Sequence, residues 1–175
     1  MSEILDFSKF PLDSHIQAAI AEMGYVTPTP IQVQAIHVVL AGQDVMGAAQ
    51  TGTGKTAAFG LPVLQRIDVD RHVPQALVLS PTRELCLQIA SDLADFSKYM
   101  PGLKVLPVYG GSSIQSQIRS LREGVQIIVA TPGRLIDLID RGVVKLDDVH
   151  TVILDEADEM LNMGFVDSIN QILEH

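Results

Sequence analysis

The run Gly52-Thr53-Gly54-Lys55-Thr56, preceded by Ala49-Gln50-Thr51, sets two glycines, an ammonium and a hydroxyl between an apolar stretch at 44–48 and a helical one that starts at Ala57. Glycines at 52 and 54 let the backbone curl so that successive N–H groups point at phosphate oxygens, and the following helix adds the positive end of its dipole. Lys55 can then reach the β- and γ-phosphates of a nucleotide, and the Thr56 hydroxyl can ligate Mg²⁺. The common pattern begins with glycine where this chain has Ala49, so the generic motif is matched only in part. Taken alone, such a loop is also an ordinary glycine-rich turn with a surface lysine.

A second group stands at Asp155-Glu156-Ala157-Asp158, directly after the apolar Val152-Ile153-Leu154. A carboxylate emerging from a buried strand can hold Mg²⁺ through water opposite Thr56, and Glu156 is placed to polarise the water that attacks a phosphoryl group. The competing explanation is that acids opening a helix merely complement its dipole. Asp158 reads as an organiser of nearby loops, not as a metal ligand.

The elements that must position these groups follow from periodicity. Short apolar runs at 44–48, 76–80, 104–109, 126–130 and 151–155 alternate with helical stretches at 55–66, 82–99, 113–122 and 132–141, the pattern of a parallel sheet with helices on both faces. Thr82, Ser113 and Pro132 are suitable helix openers. In such α/β folds ligands collect at the carboxyl ends of the strands, so Gln50–Thr56, Pro81–Glu84, Gly110–Ser112, Thr131–Arg134 and Asp155–Asp158 are expected to converge. Residues 1–43 form a helical preface: one helix near 13–23 closed by Gly24, then a stiff Pro28-Thr29-Pro30 entrance to a second closed by Gly42.

Composition narrows the function. The 175 residues suffice for one substantial core, and a net charge of −9 argues against a broad basic surface. Aromatic residues are scarce, without tryptophan, so base-stacking platforms are not advertised. The single cysteine, Cys86, excludes an internal disulfide, and no Cys/His group has zinc spacing. The amino-terminal residues are acidic where a leader wants base, and no apolar run spans a membrane, so a soluble cytoplasmic protein is expected.

With both motifs in view the chain resembles the amino-terminal RecA-like domain of DEAD-box RNA helicases, most similar in its short preface to bacterial ones. The resemblance runs from Phe7 to the end and implies a RecA-like P-loop NTPase domain over 44–175 behind a helical Q-motif region at 1–43. Gly24-Tyr25-Val26-Thr27-Pro28-Thr29-Pro30-Ile31-Gln32 resembles the Q motif, and Ala49 is the usual first residue of the family's loop. By this resemblance ATP with Mg²⁺ is the cofactor. Gln32 reads the adenine edge through an amide that both donates and accepts, Phe7 and Tyr25 help enclose the base, and Ala49, Gln50, Thr51, Gly52, Thr53, Gly54, Lys55 and Thr56 cradle the phosphates. Thr56 and Asp155 are the implied metal residues, and Lys55, Thr56, Asp155 and Glu156 the hydrolytic centre.

Three further segments resemble the family's RNA-facing motifs: Pro81-Thr82-Arg83-Glu84-Leu85, Gly110-Gly111 and Thr131-Pro132-Gly133-Arg134. Their physics suits sugar-phosphate contact without sequence readout: N–H groups at helix starts, a hydroxyl, and guanidinium groups that bridge phosphate oxygens. Each alone is an ordinary helix entrance. Cys86 stands where the family usually has alanine and is expected to pack as a small apolar residue.

The resemblance also implies a strand with a Ser-Ala-Thr motif and a second RecA-like domain, neither within these 175 residues. The chain is therefore expected to bind adenine nucleotide and contact RNA backbone, to turn over almost no ATP, to unwind nothing alone, and to be less stable than a longer one. A non-catalytic nucleotide- or protein-binding module is the alternative of a different class. A DNA translocase is disfavoured by Gln32 and by the Asp155–Asp158 tetrapeptide.

Overall fold

Helix starts leave backbone N–H groups without partners, and this sequence supplies them from side chains. The computed structural model describes residues 6–42 and 53–175, with the backbone alone at Thr53. Asp13 caps α1 (Ser14–Glu22) by accepting from the N–H of His15. Thr29 opens α2 (Pro30–Leu40) with a reciprocal capping box, Pro30 occupying the first turn, where a missing N–H is harmless. Gly24 and Gly42 follow these helices with φ of +82° and +77°, the left-handed stop that only glycine makes without strain. A short 3-10 helix, Phe7–Lys9, precedes α1. The expected strand at 44–48 lies outside the described residues.

The chain divides into two units, each described by itself. The first comprises residues up to Ile67 together with Asp92–Pro101, the second Asp68–Ser91 with Gly102–His175. In the first, α1, α2 and α3 (Thr53–Gln65) pack through Ile16, Ile20, Ile36, Leu61 and Leu64, all fully buried. An aromatic chain runs from Phe10 through Phe7 and Tyr25 to Phe96, with successive ring centroids 5.6, 5.4 and 5.8 Å apart. Glu22 takes hydrogen bonds from both Lys98 and Tyr99.

The second unit is built on four parallel strands: β1 (Ala76–Leu79), β2 (Val105–Val108), β3 (Ile127–Ala130) and β4 (Thr151–Leu154), in the order β2-β3-β1-β4. The expected strand positions hold to within about a residue at each end. Every residue of β1 and β3 is buried, as a strand covered on both faces must be. Leu77, Leu79, Ile128 and Ala130 meet Ile118 of α5 (Ile114–Glu123), Leu135 and Leu138 of α6 (Pro132–Asp140), and Ile169 and Ile172 of α8 (Val166–Leu173). Helices α4 (Arg83–Phe96) and α7 (Ala157–Asn162) complete the order. β4 is different: Val152 and Leu154 are 41% and 40% exposed.

Two buried glutamines tie the amino ends of the sheet. Gln126 donates to the carbonyls of Val69 and Gly102 and accepts from the N–H of Lys104, while Gln75 accepts from Asp68 N–H and donates to the carbonyls of Asp68 and Arg71. Loop backbone that would otherwise be buried unpaired is thereby satisfied.

Candidate functional site

Within the first unit, the amide of Gln32 is fully directed. Its Oε1 accepts from the Thr29 N–H at 2.9 Å and its Nε2 donates to the carbonyl of Gly54 at 2.9 Å. Gln32 is therefore at once the capping-box residue of α2 and a tether on the backbone just before Lys55. One amide hydrogen and one Oε1 lone pair remain for other partners. A Cβ at Gly54 would stand 3.2 Å from Nε2 of Gln32, so the amide would have to give by a few tenths of an ångström to admit a side chain there. Lys55 and Thr56 occupy the first turn of α3, where N–H groups are free of helical partners; Lys55 is half-buried and Thr56 buried. Phe7 packs almost completely between Phe10 and Tyr25, with Tyr25 the more open of the pair. Ala49, Gln50, Thr51 and Gly52 lie outside the described residues, as does the Thr53 side chain.

In the second unit Asp155 continues β4, its N–H donating to the carbonyl of Leu79 at 2.9 Å, and it is 6% exposed. Glu156 follows with φ 54° and ψ 47°, the only left-handed residue other than glycine among those described. A left-handed conformation costs a non-glycine residue about 1–2 kcal/mol, and such strain persists where the geometry serves a site. Here it turns the chain from β4 into α7. Asp158 is exposed in the first turn of α7.

The three basic or glycine-rich segments do come together. Thr82 caps α4, accepting from the N–H of Leu85 at 3.2 Å, and the guanidinium of Arg83 lies 5.1 Å over the ring of Tyr109. Tyr109 leads into Gly110 and Gly111, the latter at φ +84°, where a Cβ would approach Arg83 Nη1 to 4.0 Å. From the other side Arg134 Nη1 donates to the carbonyl of Ser112 at 3.3 Å and to Oε1 of Gln117 at 3.0 Å. Gln117 Nε2 in turn donates to the Tyr109 carbonyl at 3.1 Å. Two guanidinium groups thus flank one tight turn. Neither meets a carboxylate among the described residues, a state they share with Arg66, Arg119 and Arg122, while Arg71 and Arg141 are paired with Asp148 and Asp137. Thr131 and Pro132 open α6 without a side-chain cap, so its first N–H groups are left for another acceptor.

Cys86, on α4, is fully buried beside the Ser80 hydroxyl and near the Asp155 carboxylate; burial pushes its thiol up to about 12. It packs as a small apolar residue, as expected.

Tyr109 and Gln117 are the functional candidates that sequence reasoning missed. A signal existed for Gln117: it interrupts the helical stripe Ile114, Ile118, Leu121, so a polar group was bound to face inward.

The DEAD/DEAH box helicase profile matches residues 29–175. The chain belongs to the DEAD/DEAH box helicase family. It is 52% identical over 167 residues to the ATP-dependent RNA helicase DeaD of Buchnera aphidicola, strain APS, which covers 95% of this chain and 28% of that protein. It is 53% identical to the ATP-dependent RNA helicase CshA of Listeria monocytogenes over 96% of this chain and 32% of that one. The chain thus spans about a third of the relatives it matches. The fold of this helicase domain is similar to the crystal structure of a DEAD box protein from the hyperthermophile Methanococcus jannaschii, with TM-score 0.92 and 38% identity over 99% of this chain and 47% of the other. Among the described residues of the helicase domain, no helix is long and apolar enough to cross a membrane.

Proposed function

We propose that this chain is the ATP-binding and RNA-contacting part of an ATP-dependent RNA helicase. The observation that carries the RNA half is the pair Arg83 and Arg134, held on either side of the Gly110–Gly111 turn without carboxylate partners in a chain of net charge −9. Cations kept unneutralised in an acidic protein suit phosphate. The N–H groups of Gly133 and Arg134 in the first turn of α6 and the Thr82 hydroxyl add neutral donors, so the grip is local and indifferent to base sequence.

For the nucleotide, Lys55 supplies an ammonium at the start of α3, Gln32 presents its remaining hydrogen and lone pair to the adenine edge, and Tyr25, backed by Phe7, is the open aromatic beside it. The Thr56 hydroxyl of the first unit and the Asp155 carboxylate of the second are each hard oxygen donors of the kind Mg²⁺ takes and a soft metal does not, and the family resemblance names both as metal residues. When bound, Mg²⁺ would neutralise charge developing on the phosphates. Glu156, at the left-handed turn after β4, orients and deprotonates water.

The test is calorimetric titration with Mg-ADP beside Lys55→Ala, and titration with a single-stranded uridine decamer beside Arg134→Ala. Saturable nucleotide binding lost in the first variant, and RNA binding weakened in the second, are expected. Nucleotide binding indifferent to Lys55 overturns the ATP assignment, and RNA binding indifferent to Arg134 overturns the other.

A further inference from the structure

We infer that Gln117 is a positioning residue for RNA, holding Arg134 in place without neutralising it; the inference rests on the RNA reading above. Gln117 is 5% exposed on α5 and spends both ends of its amide at one spot. Its Oε1 takes Nη1 of Arg134 at 3.0 Å and its Nε2 gives to the Tyr109 carbonyl at 3.1 Å. One side chain therefore fixes the guanidinium and the strand end from which the Gly110–Gly111 turn departs. Because Arg134 uses only Nη1 for these bonds, Nε and Nη2 have no partner among the described residues and remain for an anion. Arg83 is held by the same logic, its tether being the uncharged face of Tyr109.

The choice of amide is what a positioning role requires. A carboxylate at this position would bind Arg134 more strongly, yet it would cancel the charge and set an oxygen against the Tyr109 carbonyl, which needs a donor. If Gln117 merely filled the core as a satisfied polar group, any replacement would act through stability alone.

The experiment is an NMR titration of the 175-residue protein with a single-stranded uridine decamer at several salt concentrations, for wild type, Gln117→Glu and Gln117→Met. We expect Gln117→Glu to weaken binding about tenfold and to lower the slope of log affinity against log salt by about 0.7, as loss of one phosphate contact does. Gln117→Met, which keeps the charge of Arg134, is expected to leave the slope unchanged. Equal slopes in wild type and Gln117→Glu overturn the inference while the RNA reading stands. A wild type that does not respond to the decamer overturns the RNA reading itself. The free wild-type protein gives a variant-independent check: rotation of the Arg134 guanidinium should be slow, and free rotation there also overturns the inference.

Discussion

The side-chain amide of Gln32 donates to the carbonyl of Gly54 at 2.9 Å, joining the capping box of α2 to the first turn of α3. The residue proposed to read the base is thus also a backbone fastener. Any partner competing for its amide acts on the peptide that precedes Lys55.

Gln32→Ala should therefore do more than remove a base contact. It leaves the Thr29 N–H, on an exposed residue, and the half-buried Gly54 carbonyl without this partner, which at the ordinary net worth of a hydrogen bond amounts to about 1 kcal/mol each. The expected result is a lower urea midpoint together with lost Mg-ADP binding. Gln32→Glu retains the capping acceptor but not the donor to Gly54, and should lose nucleotide with the smaller loss of stability. Unchanged ADP affinity in both variants, read by calorimetry, would refute the coupling.

Glu156 separates activity from stability. Glycine adopts its left-handed backbone without the roughly 1–2 kcal/mol that a side chain incurs there, less about 0.5–1 kcal/mol for greater freedom of the unfolded chain. Glu156→Gly should raise the urea midpoint slightly while Mg-ADP binding persists, and should abolish hydrolysis in a chain that hydrolyses ATP. A destabilised variant would show that the carboxylate contributes more to the fold than its backbone costs.

Gly124 offers the opposite case. It ends α5 at φ +100°, and a Cβ there would lie 2.8 Å from the Cβ of His72 and 3.1 Å from its carbonyl oxygen. Gly124→Ala combines left-handed strain with overpacking against backbone, about 2–4 kcal/mol in total. Chemical denaturation measures it directly, and a loss under 1 kcal/mol would contradict the packing.

Burial holds the Cys86 thiol at about 12, above its ordinary value of 9.0. A group whose folded value is raised stabilises fully below the unfolded value and loses that contribution as pH rises toward the folded one. Between pH 8 and pH 10 the folded protein should lose about 1 kcal/mol that Cys86→Ala does not lose. In the folded state at pH 8 a thiol reagent should react only as fast as the protein opens; rapid stoichiometric reaction would refute the burial.

Local chemistry explains what was legible in the sequence. The alternation of apolar runs with capped helices fixed β1 to β4 and α4 to α6, because Thr82, Ser113 and Pro132 act on their own helix starts. Gly24 and Gly42 likewise stop their helices where they stand. What escaped depends on partners distant in the chain: Gln126 joins Val69, Gly102 and Lys104, and Gln117 joins Tyr109 to Arg134. The left-handed turn at Glu156 was equally invisible, since nothing in a glutamate announces it. Helices α7 and α8 went unassigned although Met160, Ile169 and Ile172 bury their faces. The convergence of Arg83, Gly111 and Arg134 was foreseen from strand ends, but not the aromatic ring and amide that hold them apart.

The sealed state of Cys86 has a practical side. With the sole native thiol silent, a cysteine introduced on an exposed position such as Gly133 or Ser113 would be the one reactive thiol in the molecule. A fluorophore or spin label could then be attached beside the arginine pair without first rebuilding the interior, and its signal would report on that face alone.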